Sequence, residues 1–313
     1  MTRVVAGVDI GGTNIRIGLV SMEYELLEFV ILPSERMLLR DSPLDIITEE
    51  IHELLGRGSY ELAAVSIGIP SLINNSGNGP ISSPNLKFLD NCDLVTPLRK
   101  SIFCDVFLNK DSNLLMLHEI TVNNINGDET VIGVFFGTGI GNGVWVHGKL
   151  LQGKNSAACE LGHIPVWRSE ARCACGNKGC IECIASGKRL EAICAEVFPG
   201  TDIGDVFAEH WPHPVLKEFV ESMSLPVATE INIFNPDYVI LGGGIIYMDQ
   251  FPMETLLEEI KKKVRKPMPA ENIRILFSKC KQETGVLGAA MYAVNKLNNQ
   301  IVKPVPNKGG NKL

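Results

Sequence analysis

Three short runs of apolar and β-branched residues, separated by turn residues, occupy the first 32 positions of the chain. They span residues 4–10, 15–20 and 26–32. Short runs of this kind with brief polar connections are typical of β-hairpins that follow one another. The sequence therefore predicts that the chain begins with an antiparallel meander.

The rest of the first half alternates helical spacing with buried strands. Apolar residues recur at helical intervals over residues 41–55 and 111–120, whereas residues 63–69 and 103–108, rich in apolar residues, are predicted to be strands. This alternation places Asp111 at the junction between a strand and a helix. Ligands gather beyond the carboxyl ends of strands in α/β sheets, so the junction is a candidate site. Residues 70–90, rich in Ser, Asn, Gly and Pro, are predicted to be a long functional loop.

The second half repeats the opening pattern. Strands are predicted at residues 130–136 and 143–146 around a glycine-rich turn, which suggests a loose internal duplication. The later predicted elements are helices at 182–197, 215–234 (interrupted near Pro226), 252–264 and 284–297, and strands at 238–241 and 273–277. The tail at 303–313 has no periodicity and is expected to be disordered.

Composition narrows the class of protein. The chain has 313 residues, 45% of them apolar, and a formal net charge of −7. This length favours two domains, with room for an inter-domain cleft. The acidic balance argues against nucleic-acid and anionic-membrane partners, which require a positive surface. An acid at position 9 is too early for a signal peptide, and no apolar run approaches the roughly 18 residues of a membrane helix, so we expect a cytoplasmic protein.

Glycine-rich turns are the first candidates for chemistry. Two of them join predicted strands, and a third follows the strand at 238–241. Backbone N–H groups in such turns can approach an anion, and an adjacent carboxylate can orient hydrated Mg²⁺. The candidate ATP- and phosphate-binding residues are Asp9, Gly11, Gly12, Thr13, Asn14, Arg16, Gly137, Thr138, Gly139, Gly141, Gly242, Gly243 and Gly244.

Plain turns remain the alternative for all three segments, and the third could also open a helix. None of them is a P-loop, because no Gly-Lys-Ser/Thr follows. Neither of the two hairpin turns precedes a predicted helix, as a Rossmann fingerprint must. A dehydrogenase is therefore disfavoured.

A cluster of metal-binding residue types lies in the second half. His163, Cys173, Cys175 and Cys180 offer one imidazole and three thiolates close in sequence, enough for a closed tetrahedral Zn²⁺ site. Four protein ligands leave no open position, so we expect a structural zinc and not a zinc-dependent hydrolase. Cys183 is an alternative ligand or a spare thiol, and reduced cysteines without metal are the remaining interpretation.

Three motifs together resemble the ROK family of bacterial sugar kinases and repressors. They are Asp9-x-Gly11-Gly12-Thr13, Glu160-Leu161-Gly162-His163 and Cys173-x-Cys175-Gly176-x-x-Gly179-Cys180-x-Glu182. The resemblance runs from about residue 4 to about residue 295. Details such as Ser83-Pro84-Asn85-Leu86 and Gly162-His163-Ile164-Pro165 look most like the members that phosphorylate D-allose.

The resemblance implies an actin- and hexokinase-like (ribonuclease H-like) fold of two α/β domains, with ATP and a hexose in the cleft. We place the N-terminal domain at residues 1–115, joined by the C-terminal helix at about 285–300. The larger domain with the zinc site covers residues 116–284. ATP, Mg²⁺ and structural Zn²⁺ are the implied cofactors, and a homodimer is the implied assembly.

The resemblance implies that Asp111 is the catalytic base. Asn113 completes the Asp-x-Asn pattern that the family has at this position. A carboxylate at a helix start can accept the proton of a sugar hydroxyl as it attacks the γ-phosphoryl group, and it can also be an N-cap. The implied sugar-binding residues are Asn85, Lys110, Glu160, His163 and Glu182, with His163 also a zinc ligand.

Two departures from the family bear on specificity. Lys110 stands where the family commonly has Asn, which affects the identity of the sugar, and Ser71 replaces the glycine of a Gly-x-Pro-Gly segment. D-allose is the leading substrate, with glucose and N-acetylmannosamine as alternatives. A sugar-responsive ROK regulator is the alternative from another class, disfavoured because the phosphate hairpin at Asp9 leaves no room for a preceding helix-turn-helix.

Overall fold

The computed structural model describes residues 1–39, 42–83, 86–125, 127–279 and 281–298, which divide into two compact units. The first unit holds the described parts of Met1–Asp128 and Gly148–Ala158 together with residues 281–298, and the second holds Glu129–His147 and residues 159–279. The boundary predicted between residues 115 and 116 falls inside a helix that the structure keeps whole in the first unit. The predicted tail at 303–313 lies outside the described residues.

The elements are numbered along the described chain. The strands are β1 (Thr2–Ile10), β2 (Asn14–Ser21), β3 (Leu26–Pro33), β4 (Tyr60–Ile69), β5 (Leu72–Ile73), β6 (Pro80–Ser82), β7 (Asp105–Lys110), β8 (Val131–Phe136), β9 (Ile140–Val146), β10 (Lys149–Leu150), β11 (Tyr238–Gly242) and β12 (Ile275–Phe277). The α-helices are α1 (Asp45–Gly56), α2 (Val95–Ile102), α3 (Asp111–Val122), α4 (Glu182–Ala185), α5 (Gly187–Val197), α6 (Val206–His210), α7 (Pro214–Phe234), α8 (Met253–Lys263) and α9 (Thr284–Leu297).

The first unit is built on a sheet in the order β3-β2-β1-β4-β7. β1, β2 and β3 pair antiparallel, as the meander prediction requires, and β1, β4 and β7 pair in parallel. Side chains alternate between two cores: Val4 and Val8 pack with α1 and α2, whereas Val5 packs with α9. The carboxyl ends of β1, β4 and β7 therefore meet at one edge of this sheet.

The first unit differs from the sequence prediction in two places. The long loop at 70–90 contains a small hairpin of β5 and β6, and its Pro84 and Asn85 lie outside the described residues. Helix α2 was not predicted, because its eight residues include Pro97 and are too few to show a clear apolar period.

The second unit contains the strand order β9-β8-β11-β12. β8 and β9 are antiparallel, and β8, β11 and β12 are parallel. This is the arrangement of β2-β1-β4-β7 in the first unit, and it agrees with the internal repeat read from the sequence. The core gathers the apolar faces of α5, α7 and α8, including Leu190, Val220 and Leu256.

The helices of the second unit differ from two predictions and decide one alternative that the sequence left open. The helix at 182–197 is divided at Ser186, whose extended backbone separates α4 from α5. Helix α7 continues through Pro226 without interruption, because buried residues on both sides, such as Met223 and Val227, hold it in the core. The Gly242–Gly244 segment opens a series of turns, and the next helix begins only at Met253. Among the described helices, none combines the length and apolar character needed to cross a bilayer.

Candidate active site and metal centre

The first candidate phosphate-binding turn joins β1 and β2 and is tightly tied down. The Gly11 N–H donates to the Asn14 carbonyl at 2.9 Å, while the Ser34 hydroxyl donates to the Gly11 carbonyl at 2.6 Å. The Ser34 N–H also donates to the Thr13 carbonyl at 2.9 Å. Gly12 and Thr13 are exposed at the tip. The carbonyls are thus held by the protein, and the tip can receive an anion.

Asp9 lies beside this turn at the end of β1. Arg16 approaches it, with Nη1 3.5 Å from Oδ2, and the same guanidinium donates to Gln282 Oε1 at 3.0 Å. Burial and the nearby Asp111 carboxylate raise the pKa of Asp9 to about 6, against the opposing effect of Arg16. Gly285 at the start of α9 permits this packing, because a Cβ there would lie 2.6 Å from Asp9 Cγ.

Asp111 is the first residue of α3, where β7 ends. Its Oδ1 accepts the Ser112 N–H at 2.6 Å, so one of the free N–H groups of the first helical turn orients the carboxylate. The N-cap position is Lys110, which corrects the interpretation of Asp111 as the N-cap. A helix N-terminus favours the charged carboxylate.

Asn109 is a residue of this junction that the sequence analysis did not single out. It is 5% exposed, and its Oδ1 accepts both the Lys110 N–H at 2.8 Å and Asn113 Nδ2 at 3.1 Å. Asn113, the second residue of the Asp-x-Asn pattern, therefore helps to hold the start of α3. The only feature of the sequence that could have identified Asn109 is its position as a polar residue directly after the predicted strand at 103–108.

The second glycine-rich turn, Gly137–Gly139, joins β8 and β9. The N–H of Gly137 donates to the Gly139 carbonyl at 3.0 Å, closing the turn. Gly141, predicted with it, lies within β9 opposite Phe135 and not in the turn itself. A Cβ on Gly137 would meet no neighbouring atom within 4 Å, so that position of the turn is open.

The third glycine-rich segment follows β11. Gly243 has a φ of +96°, and a Cβ there would collide with the backbone of Phe136 at the end of β8. The Ile245 N–H donates to the Phe136 carbonyl at 3.1 Å. Because β8 and β11 are parallel, both glycine-rich turns of this unit lie at the same edge of its sheet, where α/β proteins bind nucleotides.

The predicted metal ligands come together in the second unit. The ligand atoms of His163, Cys173, Cys175 and Cys180 all lie within 4.8 Å of one another. Cys173 Sγ is 3.6 Å from His163 Nδ1, and Cys175 Sγ is 3.7 Å from Cys180 Sγ. Tetrahedral Zn²⁺ with its usual bond lengths separates such ligands by about 3.5–3.8 Å, so this donor set fits zinc. Cys183 is not part of this group of four.

The two carboxylates that flank the zinc loop differ in their surroundings. Glu160 Oε2 is 3.6 Å from His163 Nε2, the ring nitrogen that faces away from Cys173. A carboxylate behind a ligating imidazole fixes the tautomer of the ring. Glu182 Oε2 instead accepts the Ile140 N–H at 2.9 Å, next to the second glycine-rich turn.

The remaining candidates concern specificity. Lys110 lies at the end of β7, directly before Asp111. Ser71, the other departure, is buried and donates to Ser83 Oγ at 2.7 Å, so it supports the loop after β4. Asn85, a predicted sugar-binding residue, lies outside the described residues.

Comparison with known proteins gives a consistent result. A sequence model of the ROK family matches residues 5–296. The glucokinase of Thermotoga maritima is 30% identical over 309 residues, covering 91% of this chain and 95% of the relative, and the N-acetyl-D-glucosamine kinase of Yersinia pseudotuberculosis is 28% identical, covering 86% and 90%. The ROK hexokinase structure from Thermus thermophilus has a TM-score of 0.78 at 24% identity, covering 95% of this chain and all of that one.

Proposed function

The chain belongs to the ROK family and is an ATP-dependent sugar kinase, and we propose that it phosphorylates a hexose on its 6-hydroxyl, with D-allose as preferred substrate. The observation that carries the proposal is the junction of β7 and α3. There a carboxylate, Asp111, begins a helix next to a second acid, Asp9, on a glycine-rich hairpin. Asp111 is placed to accept a proton, and Asp9 is placed to hold a hydrated cation.

Asp111 is the proposed general base. Its Oδ atoms accept the proton of the 6-hydroxyl while that oxygen forms a bond to the γ-phosphorus of ATP and the bond from phosphorus to the β-bridging oxygen breaks. ADP carries away the electron pair of the broken bond. The Ser112 N–H at the start of α3 holds the Asp111 carboxylate in a fixed orientation before the reaction.

The proposed phosphate contacts come from the glycine-rich turns. The exposed tip at Gly12 and Thr13 offers backbone N–H groups, and Asp9 would hold hydrated Mg²⁺. Bound Mg²⁺ neutralises charge on the phosphates during transfer. In the second unit, Gly137–Gly139 and Gly242–Gly244 are the proposed contacts of the nucleotide.

Glu160, His163 and Glu182 are the proposed contacts of the sugar hydroxyls in the second unit, and Lys110 and Asn85 those in the first. His163 Nδ1 and the thiolates of Cys173, Cys175 and Cys180 would hold Zn²⁺, which supplies a structural crosslink when bound. His163 would then present Nε2 to Glu160 and the sugar.

The proposed preference for D-allose rests on Lys110 and on the motif details around residue 85. Lysine offers only hydrogen-bond donors on a long stem, whereas the amide common in the family offers a donor and an acceptor. Allose and glucose differ only in the direction of the C3 hydroxyl. Glucose and N-acetylmannosamine are the alternative substrates.

A screen of ADP formation across aldohexoses and N-acetylhexosamines tests the proposal. D-allose is expected to give the highest kcat/KM, and Asp111→Asn protein serves as the control for contaminating kinases. A higher kcat/KM for glucose or a hexosamine would overturn the sugar preference and leave hexose phosphorylation in place. Absence of sugar-dependent ADP formation with every sugar would overturn the whole proposal.

A further inference from the structure

The second glycine-rich turn is held from outside by one short segment of chain, residues 182–188. The Glu182 carboxylate accepts the Ile140 N–H at 2.9 Å. The Gly187 N–H donates to the Gly137 carbonyl at 2.8 Å, and the Lys188 N–H donates to the Thr138 carbonyl at 3.2 Å. Gly137 and Thr138 are therefore hydrogen-bonded to this segment, and Gly139 lies between two residues that are.

Gly139 itself packs against the same segment. A Cβ at Gly139 would collide with Glu182 Oε2, and a Cβ at Gly162 would lie 3.2 Å from the same oxygen. The absence of a side chain at Gly139 lets the carboxylate reach the backbone of the turn, and Gly162 leaves room beside the same oxygen. One oxygen of Glu182 is thus committed to the protein, and Oε1 is the oxygen that is farther from the turn.

Residues 182–188 are continuous with the predicted metal loop. Cys180 precedes Glu182 by two residues, and the Ile181 N–H between them donates to the Ile164 carbonyl at 3.0 Å, next to His163. A bridge between Pro165 and Cys180 adds a second link to the segment that carries His163. The metal ligands therefore fix the backbone immediately before Glu182.

We infer that Glu182 is a positioning residue for the nucleotide, and that through it occupancy of the metal site sets the affinity for ATP. The inference rests on the proposed function, because it assigns the Gly137–Gly139 turn to nucleotide binding. Glu182 orders the turn through the Ile140 N–H before ATP arrives. Without this acceptor the turn must be ordered on binding, and affinity falls.

The test is the Kd of a non-hydrolysable ATP analogue, measured by calorimetry in the presence of Mg²⁺ and in the absence of sugar. Gln retains an oxygen that accepts the Ile140 N–H, whereas Ala does not. We therefore expect Glu182→Gln to bind within about twofold of the parent chain and Glu182→Ala to bind about fivefold or more weakly. A role confined to sugar binding would leave both values unchanged, and that result would overturn the inference.

The matched control is Glu191→Ala, which removes an exposed carboxylate further along α5 and is expected to leave Kd unchanged. Gly139→Ala provides a second perturbation of the same contact from the side of the turn, with the same expected loss. If Glu182→Ala does not fold, Gly139→Ala against the parent chain decides the question.

The coupling between metal occupancy and affinity for the analogue is measured with protein from which a chelator has removed zinc. The measurement is made at a temperature at which circular dichroism shows that the metal-free protein is folded. The Kd of the analogue should rise at least as much as in Glu182→Ala, and removing metal from Glu182→Ala should add little further. Equal affinity of holo and metal-free chains would overturn the coupling. Failure of the parent holo chain to bind the analogue would instead count against the proposed function.

Discussion

Asp111 has a hydrogen-bonding environment that suits a base more than a purely structural acid. Its Oδ1 is oriented by the Ser112 N–H at 2.6 Å, and the capping position belongs to Lys110. Replacing it by Asn keeps the shape of the side chain and removes the proton acceptor. We expect Asp111→Asn to lower kcat by roughly two to four orders of magnitude while sugar affinity stays within a few fold.

The control for this variant is Asp105→Asn at the exposed start of the same strand, β7. It removes an identical charge at the end of β7 opposite to Asp111, so kcat should be unaffected. Steady-state kinetics and equilibrium binding of the sugar provide both numbers. Substantial turnover by folded Asp111→Asn protein would refute the assignment of the base.

We expect Asp9 to set how kcat/KM for ATP depends on pH. Its pKa is raised to about 6 by burial and by Asp111, so its charge is lost as the pH falls through that value. In its proposed role beside hydrated Mg²⁺, Asp9 must be ionised, so kcat/KM for ATP should decline on the acid side. Arg16 lowers the pKa of Asp9, so Arg16→Gln should move this acid limb to higher pH.

Profiles of kcat/KM between pH 5 and pH 8 measure the shift, and ATP titrates identically in each experiment. Arg3→Gln, at the opposite end of β1, is the matched control and should keep the midpoint of the parent chain. A midpoint that stays in place or moves down in Arg16→Gln would show that Asp9 does not control the acid limb.

Lys110 is the residue at which the choice of sugar can be tested. An unpaired buried hydroxyl costs about 1–3 kcal/mol, which is roughly tenfold or more in selectivity. Lys110→Asn restores the donor and acceptor of the amide, and we expect kcat/KM for glucose relative to allose to rise about tenfold. An unchanged ratio would place selectivity elsewhere, with Asn85 and Glu160 the next residues to substitute.

At the scale of elements, we expect the proposed zinc loop to stabilise the second unit. Structural zinc contributes folding free energy directly, so Cys175→Ser should lose the metal and lower Tm by roughly 10 °C or more. Sugar binding should weaken with it, because His163 is the residue proposed for both sites. Cys183→Ser, outside the group of four ligands, should retain about one Zn²⁺ per chain. Metal analysis showing active parent protein without zinc would contradict this account.

Local sequence signals predicted the elements whose apolar pattern is long and regular. The meander of β1, β2 and β3 and the helix after Asp111 are confirmed for this reason. Pro226 gave a misleading signal, because burial in the core outweighs the roughly 3 kcal/mol that an interior proline costs. The division at Ser186 was equally hidden, since it depends on hydrogen bonds to the distant Gly137 turn.

At the scale of the whole molecule, the parallel strands β1, β4, β7 and β8, β11, β12 explain why the candidate residues lie at strand ends. The glycine-rich motifs and the cysteine cluster could be recognised from spacing alone. Asn109 and the contact of Glu182 with Ile140 could not, because both depend on partners that only the folded chain brings together. The same limit applies to Gly285, which is glycine because α9 packs against Asp9.

Transfer of the γ-phosphoryl group of ATP to the 6-hydroxyl of a hexose is tested most directly by a nuclear magnetic resonance spectrum of the product. The product is made from D-allose, ATP and Mg²⁺, with Asp111→Asn protein run in parallel. We predict one ADP per sugar phosphate and coupling of phosphorus to the protons on C6 in the parent reaction only. Phosphorus at another carbon, or ADP released without any phosphorylated sugar, would contradict the account.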